Sequence, residues 1–146
     1  MIMKNLLFFV ILLSSISFCK AQEITDFPLG KEFTEEKDMI RMDVGGIEGT
    51  LFVYTNKKKQ IVSLGFVPSL DGTNPNRVHK QEFMGFIQYL QVAYGIQFEK
   101  TYERTRGKEH FTARTADMKI AVTIETYKDD LTPTPMTMMI NKRAKN

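Results

Sequence analysis

Few residues in this chain could do chemistry. His79 and His110 are the only histidines, and beyond residue 21 the only serines are Ser63 and Ser69. No Gly-x-Ser-x-Gly, His-Glu-x-x-His or phosphate-cradling glycine loop is present to place a nucleophile, a zinc ion or a phosphate. His110, with Glu109 beside it, is the one candidate general base. Base catalysis also needs a pocket and partners, so a solvated histidine at a strand edge is the simpler reading. Asp129 and Asp130 are adjacent acids without a surrounding oxygen-ligand loop, and read as a turn. Met136, Met138 and Met139 set thioethers close together, and Met136 and Met138 would project from one side of a strand. Thioethers select Cu(I), but no neighbouring histidine or cysteine completes a ligand set. Filling an irregular core edge is the better account of them. These residues imply no catalytic constellation, no metal and no cofactor.

The single cysteine, Cys19, closes an apolar run over residues 6–16 that follows Lys4. Positive start, apolar core and small-residue exit are the parts of a secretory signal. The core is shorter than the ~20 apolar residues that span a bilayer. A lipoprotein signal wants a small residue before the modified cysteine, where this chain has Phe18. Cys19 and Ala21 suit the −3 and −1 positions of ordinary cleavage, which places the cut between Ala21 and Gln22. The expected organisation is a signal peptide over 1–21 and one domain over 22–146, with no stable membrane anchor after cleavage. That mature part has 125 residues and no cysteine, so disulfides and thiol chemistry are excluded from it. A chain of ~100–150 residues can stand on its hydrophobic core alone. Lys4 and Lys20 leave with the leader, so 18 basic face 17 acidic residues, net +1, and nothing points to nucleic acid.

The elements follow from periodicity. Thr34 can cap a short helix, with Glu35 and Glu36 in its first turn, Phe33, Met39 and Ile40 on its apolar side, and Gly45-Gly46 as its stop. Residues 49–55 and 60–67 read as strands joined by Asn56-Lys57-Lys58-Lys59, whose lysines suit a solvated tip that discourages edge pairing. Asn74-Pro75 starts a long helix. Phe83, Phe86, Ile87, Leu90 and Tyr94 recur at steps of three and four, and Gly95 ends it. Residues 96–103, 110–114, 118–125 and 136–140 follow as further extended segments. The expected fold is α+β in the order α-β-β-α-β-β-β. It has an antiparallel sheet of about five strands with the long helix packed on one face.

The Phe27-Pro28-Leu29-Gly30 start, the hairpin and the helix ending Leu90-Gln91-Val92-Ala93-Tyr94-Gly95 give a layout that resembles small exported α+β proteins of Gram-negative bacteria. The likeness implies the fold and carries no activity or site. Proline often follows the Tyr-Gly pair in those proteins, where this chain has Ile96.

The first hairpin is apolar on both sides. Leu51, Val53 and Ile61 are assigned to one face, and Phe52, Tyr54, Leu64 and Phe66 to the other. The long helix can cover one of them. Either the short N-terminal helix covers the second, or Phe52, Tyr54, Leu64 and Phe66 form a partner surface. Export without catalytic or cofactor signals implies a periplasmic or secreted domain that binds another envelope protein, as an inhibitor, immunity protein or assembly accessory does. The alternative is a small-molecule or lipid carrier with a cavity lined by Phe83, Ile87, Leu90, Ile120 and Val122. The leader reading is checked by intact mass: the exported protein should begin at Gln22 without acyl groups, and a diacylated or triacylated Cys19 would overturn it.

Overall fold

The computed structural model describes residues 21–144, and the leader reading, with Cys19, lies outside them. Most described residues follow a period of two. In Met39–Val44 (β1), Ile40, Met42 and Val44 point into the interior while Met39, Arg41 and Asp43 face solvent. Gly45 and Gly46 both take positive φ (59° and 91°) and link β1 to Ile47–Thr55 (β2) through a two-residue hairpin turn. Asp43 accepts the Gly46 N–H at 2.9 Å and holds that turn. Ile61–Val67 (β3) completes a first meander. Lys80–Tyr94 (α1) then leads to a second meander of Glu99–Glu103 (β4), Lys108–Arg114 (β5), Met118–Glu125 (β6) and Met136–Lys142 (β7).

This overturns the expected fold. The sheet has seven antiparallel strands in the order β1-β2-β3-β7-β6-β5-β4, and the described residues hold one α-helix. The expected α-β-β-α-β-β-β order over about five strands is wrong in two places: its first helix does not form, and four strands rather than three follow the long helix. Residues 34–38 are irregular and 39–44 are β1. An acidic pair and Phe33, Met39 and Ile40 fit a helical stripe, but the alternation from Met39 to Val44 fits a strand better, and Gly45-Gly46 turns a hairpin. The described residues form a small, mostly β fold with one α-helix.

The two meanders meet where β3 pairs with β7, at Ser63↔Asn141, Leu64↔Ile140, Gly65↔Met139 and Phe66↔Met138. Helix α1 starts later than its proline suggested. Asn74 and Pro75 belong to a loop, and the Glu82 carboxylate accepts the His79 N–H at 3.2 Å at the true start. Gly95, at φ 62°, ends the helix in the left-handed conformation. Phe83, Phe86 and Leu90 are buried, as the stripe required. Phe86 stacks on Phe66 at 5.9 Å, and Phe83 meets Phe111 edge-on at 5.2 Å, so the helix grips both meanders. Gly49 leaves room for the Phe66 ring, since a Cβ there would lie 2.6 Å from Phe66 Cζ. Ile24, Phe27, Leu29 and Phe33 pack on the same core from the N-terminal side. Met136 and Met138 are buried in it as well, while Met139 faces out.

The packing separates two positions on α1. Leu90→Ala should cost about 2–5 kcal/mol, as buried leucine truncations do. Gln88→Ala on the exposed face should stay within about 0.5 kcal/mol. Denaturant titration checks both, and equal costs would contradict the helix orientation.

Candidate functional site

Helix α1 and the N-terminal segment cover only one face of the sheet. On the other, side chains paired across strands lie next to one another. Phe52 opposes Gly65, which opposes Met139, which opposes Ala121. Met39 sits beside Phe52 on β1, and Tyr54 opposes Ser63. Gly65 offers no side chain, so its neighbours lean over it. A Cβ placed there would lie 3.1 Å from Met139 Sδ, 3.6 Å from Tyr54 Cε2 and 3.8 Å from Phe52 Cβ. The result is an apolar patch on open sheet. Tyr54 is 49% exposed, Met39 42% and Met139 37%, while Phe52 is half-buried.

The structure divides the four hairpin residues singled out from sequence. Phe52 and Tyr54 share the open face. Leu64 and Phe66, 1% and 0% exposed, share the core face with Leu51, Val53 and Ile61. The cause is a β-bulge: Tyr54 opposes Ser63 but Thr55 opposes Ile61, which leaves Val62 as an extra residue on β3. Ile61 and Leu64, an odd number of positions apart, therefore both point inward. Met39 and Met139 belong to the patch and were missed, because their place depends on pairing across strands.

A loop supports one side of the patch. The Asp71 carboxylate accepts the backbone N–H groups of Asn74 and Thr73, each at 2.8 Å, together with the Asn74 side-chain amide and the Ser69 hydroxyl. The Asn74 and Thr73 backbone donors, then the two side chains, hold its pKa far below the usual carboxylate range. The folded loop brings Gly72 against Met39 and Phe52, and Thr50 Oγ1 donates to the Ser69 carbonyl at 2.6 Å. On the other side Tyr54 lines an open groove of about 530 Å³ with Phe33, Val53 and Thr55. Glu35, Glu36 and Asp38 also line it, against the single cation Lys59. The groove is therefore acidic.

His110 has a different partner from the one expected. Glu109 points to the core side and pairs with Lys100 at 3.2 Å. On the open face His110 Nε2 lies 2.9 Å from Glu103 Oε2, and Nδ1 lies 3.1 Å from Thr123 Oγ1. With the Nε2 proton given to the carboxylate, Nδ1 accepts the Thr123 hydroxyl. This hydroxyl–imidazole–carboxylate line lies along a flat, open sheet and ties β4, β5 and β6 together. Among the described residues no group of three or more His, Cys, Asp or Glu side chains could hold a metal ion.

Compared with known proteins, the chain matches no family model, no curated sequence and no solved structure.

Glu103 gives a pH prediction. The hydrogen bond from His110 first, and the charge of Arg106 after it, hold the Glu103 carboxyl below its ordinary value of 4.5. A carboxylate lowered in the folded state stabilises fully above its unfolded pKa, and the effect is lost as pH falls through the folded value. Amide protection in β4 should therefore fall on acidification below about 4.5, and Glu103→Gln should lower it already at neutral pH. Protection of β4 that ignores both pH and this substitution would refute the brace.

Proposed function

We propose that the domain works by binding another protein across the open face of its first hairpin, with Met39, Phe52, Tyr54 and Met139 as the contact. The carrying observation is this exposed aromatic and thioether cluster around Gly65, on a sheet face that no helix of the described residues covers. Exposed patches of this kind mark interaction sites, and tyrosine and methionine are enriched at interface centres. The acidic groove beside Tyr54 selects the partner's chemistry. An apolar ridge fits over Gly65, and basic side chains next to it meet Glu35, Glu36 and Asp38. With the leader read as a secretory signal, the partner is an envelope protein. The carrier alternative needs a cavity lined by Phe83, Ile87, Leu90, Ile120 and Val122; of these Phe83, Leu90, Ile120 and Val122 are buried in the core and Ile87 packs against it.

Capture of partners from envelope extracts by the domain over residues 22–146 is the test. Tyr54→Ala and Met139→Lys should leave the thermal midpoint within a few degrees, since both residues are exposed. Each should weaken capture by about tenfold or more, as truncation of central interface residues does. A Tyr54→Ala protein that is equally stable and captures equally well would remove this reading.

A further inference from the structure

The edge strand β1 carries a second and separate signal. Val53 N–H donates to the Asp38 carbonyl at 2.8 Å, which sets the phase of the ladder. Asp38, Ile40, Met42 and Val44 turn their backbone groups toward β2, so Met39, Arg41 and Asp43 turn theirs away from the sheet. Among the described residues nothing pairs with those outward groups. The same three residues carry their side chains on the open face. Arg41 lies opposite Thr50, and Asp43 lies opposite another acid, Glu48. Neither Arg41 nor Asp43 forms an ion pair among the described residues.

We propose that β1 pairs antiparallel with β1 of a second copy of the chain, about a two-fold axis passing between the two Met42 residues. In this register Arg41 of each copy faces Asp43 of the other, and both belong to the outward-bonding set. Met42 faces Met42, and Ile40 faces Val44, on the core side. Two cross-strand ion pairs form, and each copy's Asp43 gains a cation that offsets Glu48. The register is selected by charge. A slip of two residues one way sets Arg41 against Arg41, and the other way sets Asp43 against Asp43. Slips by one residue break the match of faces. The opposite edge lacks this property, because self-pairing of β4 about Thr101 sets Glu99 against Glu103. The product is a symmetric dimer with one continuous sheet of fourteen strands, seven from each copy.

Sedimentation over a concentration series tests the proposal on the domain over residues 22–146. The protein should dimerise reversibly, and Arg41→Asp, which sets two acids against two acids, should raise the dimer dissociation constant by about tenfold or more. Asp43→Arg should do the same, and an equimolar mixture of the two variants should restore dimers, because one ion pair re-forms with reversed sign and the other in its original sense. Asp43 also holds the Gly46 turn, so Asp43→Asn, which keeps that acceptor, is the second variant. It should weaken the dimer without changing the thermal midpoint measured at a concentration where the protein is monomeric. Tyr54→Ala should leave self-association untouched, which separates this edge from the partner surface. A protein that stays monomeric at sub-millimolar concentration, including one that captures a foreign extended peptide on β1 instead, would overturn the proposal. So would a dimer indifferent to Arg41→Asp and Asp43→Asn, or folded Arg41→Asp and Asp43→Arg proteins that fail to rescue one another.

Discussion

A single helix cannot cover two faces of a sheet. Seven strands at ~4.8 Å spacing make a surface about 30 Å wide, and a helix of 15 residues is about 22 Å long. Everything else in the molecule answers this mismatch. The helix is spent on one side, where Phe66, Phe83, Phe86 and Phe111 join in a chain of aromatic contacts that crosses from the first meander to the second. The N-terminal turn and Phe27 extend that cover. The described residues leave the other side open, and its composition changes across its width. Over β4, β5 and β6 it is threonine, histidine, lysine, arginine and glutamate, with Ala121 beside Met139. Over β1, β2, β3 and β7 methionine and aromatic side chains gather around Gly65, with Arg41, Asp43 and Glu48 toward the β1 edge.

That change in composition divides the open face into two unlike halves. A polar sheet face needs no explanation, since antiparallel sheets are commonly solvated on one side. Thioether and ring atoms gathered over Gly65 are different, because the chain places them against water when the helix side would accept them. The Asp71 loop strengthens the contrast. It holds a rigid wall of backbone against Met39 and Phe52 with hydrogen bonds to a carboxylate that stays charged far into acid.

How much of this was legible in the sequence varied with the range of the interaction. The helical stripe of Phe83, Phe86 and Leu90 and the alternation of Ile120, Val122 and Ile124 depend on near neighbours, and both elements formed on those residues, although the helix begins at Lys80 and not at Pro75. Met39–Val44 was misread because Thr34, Glu35 and Glu36 make a persuasive helix start, and the competing period of two spans only six residues. The two-sided apolar character of the first hairpin was visible, and it drew attention to Phe52 and Tyr54. The face of Leu64 and Phe66 was not, because a single unpaired residue on β3 reverses the alternation. Met139 over Gly65 and Glu103 beside His110 are matters of register between strands, and no local pattern encodes register.

The strand order also sets a timetable. Strand β7, the last described element, lies in the middle of the sheet, between β3 and β6. A ribosome delivers its flanking strands first, each with one side open, and the slot between them stays empty until β7 emerges. Neither meander can complete the core before then, since Met136, Met138 and Ile140 come from the missing piece. The nascent chain is thus kept from closing early. A keystone strand delivered after both of its neighbours makes the closing of the sheet a single late event.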